Sequence, residues 1–237
     1  ITLPDGSELY PDGSFKPGGD GSLTVKGENG QADTTIKLPE GSAVNSDGHG
    51  GLAVPEGTEI KKDAENAPTV VVGEKGGAVN IDGNVNLPVD GSATISDGQN
   101  SIEIKTPEGG QVNTADGSTT APVVDINGIT ITAPEGETVK TDKNGDSTVV
   151  NDTTISKNDI IVQIVDGAPV IVGKDGIITF PNGGTINIIK DGQTTNQTVT
   201  AGGKVNINNL GGGSGSGSGH GGGGSAGGSN VSIAGKV

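Results

Sequence analysis

Short turn motifs recur along almost the whole chain, and they limit its possible folds more than any other feature. One family joins proline, an acidic residue or asparagine, and glycine. Its copies are Pro4-Asp5-Gly6, Pro11-Asp12-Gly13, Pro39-Glu40-Gly41, Pro55-Glu56-Gly57, Pro88-Val89-Asp90-Gly91, Pro107-Glu108-Gly109, Pro134-Glu135-Gly136 and Pro181-Asn182-Gly183. Proline presets the backbone for a turn, and glycine accepts the positive φ that follows. Proline also cannot donate to a sheet ladder, so each copy marks where a strand stops.

A second family of turns lacks proline and consists of Asp-Gly or Asn-Gly pairs. These pairs begin at Asp47, Asp82, Asp97, Asp116, Asn127, Asn144, Asp166, Asp175 and Asp191. Together the two families place a turn about every eight to ten residues, which leaves room only for short strands. The intervening segments alternate apolar and polar residues, as in residues 102–104 and 185–188, and this period of two is typical of strands. The sequence therefore predicts an all-β fold.

The apolar residues are mostly valine and isoleucine, and the only aromatic residues are Tyr10, Phe15 and Phe180. β-Branched side chains suit a pleated sheet, whereas a wide globular core is normally filled by aromatic side chains. This composition predicts an elongated repeat architecture with a thin core. One candidate is a β-solenoid-like stack with three short strands and about 25 residues in each rung. The alternative is a string of small antiparallel β-sandwiches or hairpins.

Three segments differ in composition. Residues 1–210 form the predicted β-rich repeat body. Residues 211–229 are almost entirely glycine and serine, which is typical of a flexible linker. Residues 230–237 resume the alternation of apolar and polar residues, and we interpret them as the start of a following strand or domain.

The net charge of −15, with lysine as the only strongly basic residue type, predicts a protein that does not bind nucleic acid. No apolar stretch approaches the length of a bilayer span, so we expect no membrane insertion. The absence of cysteine rules out a disulfide framework and is compatible with export.

The sequence offers little for catalysis. It has no cysteine, and its two histidines, His49 and His220, lie in glycine-rich surroundings where rigid positioning is difficult. Most carboxylates fall inside turns, where they hydrogen-bond the backbone. We therefore predict no catalytic residues, no cofactor-binding residues and no enzyme activity. The only metal candidate is a calcium loop with alternating oxygen ligands at Asp142, Asn144 and Asp146, although glycine and the bidentate glutamate are missing further along the loop.

The units Leu3-Pro4-Asp5-Gly6-Ser7 and Val54-Pro55-Glu56-Gly57-Thr58 resemble repeats in large exported surface proteins of Gram-positive bacteria, and such units occupy most of residues 1–200. Repeats of that kind often sit beside Gly/Ser-rich linkers like residues 211–229. The resemblance implies an extracellular, cell-surface location and a role as a stalk or adhesin segment.

The expected function is thus a non-catalytic structural or adhesive module that forms a cell-surface stalk or a fibre. Its expected partners are other copies of the chain, or a host or matrix surface. The alternative is a carbohydrate-recognition segment of a secreted glycan-active protein or a phage tail protein. That function would need a groove lined by acidic and aromatic residues.

Overall fold

The computed structural model of the protein describes residues 1–3, 6–27 and 30–211. Almost all regular structure in these residues consists of short β-strands, and no α-helix occurs among them; a single 3-10 turn spans Ile207–Asn209. The all-β prediction is confirmed. Of the segments predicted after the β-rich body, residues 212–229 and 230–237 lie outside the described residues.

Two large antiparallel sheets contain nearly every strand. A small antiparallel pair precedes them, formed by β1 (Glu8–Leu9) and β2 (Phe15–Lys16). Sheet I has 12 strands: β3 (Ser22–Val25), β4 (Thr34–Lys37), β7 (Glu59–Lys62), β8 (Thr69–Val72), β11 (Gly91–Ser96), β12 (Ser101–Thr106), β15 (Val123–Ile126), β16 (Ile129–Thr132), β19 (Thr154–Lys157), β20 (Ile160–Asp166), β23 (Gly184–Lys190) and β24 (Gln193–Val199). Sheet II has 11 strands: β5 (Asn45–Ser46), β6 (Leu52–Val54), β9 (Gly77–Val79), β10 (Val85–Leu87), β13 (Gly110–Val112), β14 (Thr119–Ala121), β17 (Val139–Thr141), β18 (Ser147–Val149), β21 (Val170–Val172), β22 (Ile177–Phe180) and β25 (Gly203–Asn206).

The chain builds both sheets at once by placing successive hairpins alternately in sheet I and sheet II. Each hairpin pairs with the previous hairpin of its own sheet, so strands are added in one direction only. Two hairpins, one per sheet, make a four-strand unit, and successive units begin about 30–37 residues apart. The unit starts are Ser22, Glu59, Gly91, Val123, Thr154 and Gly184. At the usual strand spacing, sheet I extends about 52–54 Å from its first strand to its twelfth.

The two families of turns have different places in this topology. Within the two sheets, every proline-containing copy from Pro39 to Pro181 lies where the chain crosses from one sheet to the other. The Asp-Gly and Asn-Gly pairs close hairpins within a sheet; the pair at Asp166 is the exception and lies in a crossing. A proline ends the ladder and lets the chain leave the sheet, whereas Asx-Gly turns keep two adjacent strands paired.

The predicted three-strand rungs are not what the described strands form, because neighbouring strands are antiparallel and no coil closes. The alternative, a string of small antiparallel β-sandwiches or hairpins, agrees with the structure in its antiparallel hairpins. The hairpins are not separate small units, however, since the pairing runs without a break through each sheet. The architecture is elongated, with four-strand units stacked edge to edge.

Apolar residues form continuous rows across the inner faces of the two sheets. In sheet I one row pairs Val124, Ile131, Ile155, Val162 and Ile188 on successive strands, all buried. The single fully buried aromatic residue of the described core is Phe180, on β22 of sheet II. Each strand contributes one residue to each row, and valine and isoleucine suffice to fill the narrow space between the sheets.

Candidate functional site

The hairpin loops of sheet II lie along one side of the molecule, and three of them share one geometry. They begin at Asp47, Asn80, Asn113, Asp142 and Gly173. In the loops at Asp47, Asn80 and Asp142, the first residue donates its N–H to the carbonyl oxygen four residues on, over 2.9–3.0 Å. The same residue accepts two backbone N–H groups through its side-chain oxygen. These three loops are therefore Asx turns, in which the side-chain oxygen of the first residue stabilises the backbone.

The predicted calcium residues lie together in one of these loops, between β17 and β18. Oδ1 of Asp142 accepts the N–H groups of Asn144 and Asp146, each over 2.9 Å. Burial raises the pKa of Asp146, and the carboxylates of Asp142 and Asp175 add to this effect. Within the described part of the chain, no group of three or more His, Cys, Asp or Glu side chains could hold a metal ion.

The calcium loop stays a prediction, although the Asx turn explains the positions of Asp142 and Asn144 without a cation. Its test is the melting temperature of the protein in calcium and in chelator. A lower melting temperature in chelator supports binding, and an unchanged one removes the site from consideration.

The predicted lack of a catalytic centre also stays a prediction. His49 is exposed in the first of the sheet II hairpin loops, where its Nδ1 lies 2.9 Å from the carbonyl oxygen of Asp47. The other histidine, His220, lies outside the described residues. No helix in the described part of the chain is long and apolar enough to cross a membrane.

The second candidate site is the outer edge of sheet I at β24. This strand is the last of its sheet, and nothing among the described residues pairs with its outer side. It is seven residues long, whereas the other terminal strands of the two sheets, β3, β5 and β25, have four, two and four residues. A long, unpaired edge is a template for pairing with another strand.

The apolar rows of the core end at β24. Thr195 follows Ile188 in its row, and Gln197 follows Ile186. Thr195 is exposed and Gln197 is half-buried, so the inner face of the strand is polar except at its end, where Val199 is buried. Such a strand completes the core without presenting an apolar surface to solvent.

A row of side-chain amides crosses the outer face of sheet I and reaches this edge. Nδ2 of Asn187 donates to Oε1 of Gln163 over 3.2 Å, and Nδ2 of Asn196 donates to Oδ1 of Asn187 over 3.0 Å. These three residues are direct neighbours on β20, β23 and β24. The carboxamide oxygen of Asn196 has no partner among the described residues, so the row is open at the edge.

The pattern of residues along the chain does not predict this edge. Residues 193–199 lack the apolar alternation that indicates a half-buried strand, because Val199 is the only apolar residue of β24. A signal was present in the Asp-Gly pair at Asp191, which predicts a hairpin after the apolar run of β23, and in the β-prone threonines that follow it.

No protein-family model matches this chain, and neither a curated protein nor a solved structure matches it.

Proposed function

We propose that the chain is a non-catalytic extracellular module that serves as a cell-surface stalk or adhesive segment. The observation that carries the proposal is the way in which length is produced. Each four-strand unit adds two strands to each sheet and extends the same apolar rows, so more units make a longer body without a wider core.

The surface chemistry agrees with this role. A net charge of −15 keeps an extended body soluble and repels other acidic surfaces. The outer face carries Ser101, Glu103 and Lys105 on β12, all exposed, and Thr130 and Thr132 on β16. In the sheet II loops, the carboxylates of Asp47, Asp116, Asp142 and Asp175 accept backbone N–H groups, which gives them a structural role.

The location is tested by labelling intact cells of the source organism with antibodies against the described body. Surface labelling that is lost after mild protease treatment of intact cells is the expected result. Labelling that appears only after the cells are permeabilised would contradict an extracellular stalk.

Carbohydrate recognition is the second candidate, and the amide row of Gln163, Asn187 and Asn196 is the observation that favours it. Amide side chains can donate to and accept from sugar hydroxyls. A glycan array tests this function: binding that is lost in Asn187→Ala supports it. Aromatic residues, which commonly bind sugars, are scarce in this chain. Tyr10 is exposed, but it lies near the first strands of the sheets, at the end opposite to β24.

A further inference from the structure

The free edge of β24 has a regular pattern of unpaired backbone groups. The turn at Asp191 and Gly192 has positive φ at both residues, 50° and 74°, and joins the directly paired Lys190 and Gln193. A two-residue turn of this type places its flanking residues in a hydrogen-bonded pair. By alternation, Gln193, Thr195, Gln197 and Val199 bond to β23, and the N–H and C=O groups of Thr194, Asn196 and Thr198 face outward.

This set of free groups is self-complementary. In an antiparallel pairing of two β24 strands centred on Asn196, Thr194 of one copy lies opposite Thr198 of the other, and Asn196 lies opposite its own equivalent. All three pairs are then of the hydrogen-bonded kind, which gives about six backbone bonds. We infer that this edge binds a second copy of the same chain across a two-fold axis and joins two sheets I into one.

The side chains of β24 favour the same partner. None of its seven residues is charged, in a chain with 29 acidic residues and a net charge of −15. It also lacks the lysines, prolines and bulges by which other proteins protect an edge strand, and its pairing with β23 has no register shift. The neutral edge is thus a place where two copies meet without charge repulsion.

The open amide row supplies the specificity. Across the axis the two Asn196 carboxamides face each other, and the oxygen of each can accept an N–H of the other. The row Gln163–Asn187–Asn196 then continues into its equivalent, and rows of this kind stabilise stacked sheets. The antiparallel arrangement also keeps the charged turn of one copy, at Lys190 and Asp191, away from the same turn of the other copy. The turn of each copy lies beside the C-terminal end of β24 in its partner.

An interface of this kind is closed and predicts a discrete dimer. The inferred dimer rests on the proposed function in one respect, because the second copy would be the partner of a stalk segment. The dimer is tested by the mass of the protein in solution, and the cell-surface location is tested by antibody labelling. The inferred dimer and the proposed function can therefore be contradicted independently of each other.

The test is the mass of the full chain by sedimentation and by light scattering coupled to gel filtration. The expected mass of the wild type is twice the 23.2 kDa of one chain, at micromolar concentration. Asn196→Lys and Asn196→Asp each place two like charges opposite one another, so each variant alone should have the mass of one chain. An equimolar mixture of the two variants should regain the doubled mass, because the charges across the axis are then opposite.

Asn86→Lys is the matched control. Asn86 is an exposed asparagine on β10 that accepts a hydrogen bond from Gln111 over 2.8 Å, and it lies within sheet II, away from β24. This variant should keep the doubled mass.

Several outcomes overturn the inference. A wild type with the mass of one chain would show that two copies do not pair at this edge, and fibres of mixed length would show that the interface is not closed. A dimer that persists in both Asn196 variants would place the interface elsewhere. A mixture of the two variants that stays monomeric would show that Asn196 does not lie opposite its own equivalent. Circular dichroism of each variant shows that a loss of dimer is not a loss of fold.

Discussion

Hydroxyl groups interrupt an otherwise apolar row in the interior of sheet II. The row runs through Val112, Thr119, Thr141, Ser147 and Val172, which pair directly on successive strands. Oγ1 of Thr141 and Oγ of Ser147 hydrogen-bond each other over 2.8 Å. Oγ1 of Thr119 is buried and has no hydrogen-bond partner within the described structure. A buried hydroxyl without a partner lowers stability, because its bonds to water are lost on folding.

Replacing this hydroxyl by a methyl group should therefore stabilise the protein. We expect Thr119→Val to raise the free energy of unfolding by about 1 kcal/mol, measured by urea denaturation. Thr141→Val is the control: it leaves the Ser147 hydroxyl without its partner, so it should be neutral or destabilising by about 1 kcal/mol. A Thr119→Val protein that is less stable than the wild type would contradict this account.

Asp47 should make the stability depend on pH in acid. The N–H groups of His49 and Gly51 lower the pKa of its carboxyl group below its usual 3.8. The stabilisation is therefore complete above that usual value and is lost as the pH falls through the lower pKa of the folded state. Asn80 makes the same two backbone bonds in the next loop with an amide that does not titrate there.

Asp47→Asn should accordingly keep the turn and weaken this acid dependence. We expect its free energy of unfolding, measured by urea denaturation at several pH values, to fall less steeply than that of the wild type below pH 3.8. Parallel curves for the two proteins would show that the carboxylate is not held by the backbone as described.

At the scale of the strands, Gly167 allows β20 and β23 to approach where the chain leaves sheet I. Gly167 has φ of 96°, and a Cβ atom there would overlap the backbone of Gly183 and Gly184. The register between β20 and β23 also shifts close by, between Ile164 and Asp166. In contrast, Gly128 has φ of 72° in an open hairpin turn, with nothing within 4 Å of its Cβ position.

The two glycines separate backbone strain from steric overlap. Gly128→Ala should cost about 1–2 kcal/mol through its positive φ alone. Gly167→Ala should cost at least ~3 kcal/mol, because overlap with a backbone that cannot move is added to the strain. Thermal denaturation measures both effects, and equal losses would mean that the close approach at Gly167 is not important.

The strands and turns were accessible to sequence analysis, whereas their pairing was not. Alternation in residues 102–104 identified β12, and Asn127-Gly128 marked a hairpin that the structure contains. The partner of each strand depends on which turns cross between the sheets. The sequence shows which turns these are only if the proline-containing turns are assigned to crossings and the Asp-Gly and Asn-Gly turns to hairpins. The spacing of prolines is irregular because several crossings, such as those after β8 and β24, use no proline. The β24 edge was missed because Val199 is the only apolar residue of the strand.

At the scale of the whole molecule, the stacked units should be removable one at a time. Deleting residues 91–122 takes out β11 to β14, one hairpin from each sheet. β15 then follows β10 and can pair with β8, just as β11 does in the intact chain. The alternation between sheets is preserved, and the apolar rows continue from β8 to β15.

We therefore expect this shortened chain to fold with the same circular dichroism per residue and to lose about 10 Å of length, measured by small-angle X-ray scattering. Deleting only residues 91–106 is the control. It removes a hairpin from sheet I but none from sheet II, so β10 is followed by β13 of the same sheet and the alternation fails. This control should unfold at lower urea concentration and without a single sharp transition. If both deletions behaved alike, stability would not depend on the alternation of hairpins, and the four-strand unit would not be the structural repeat.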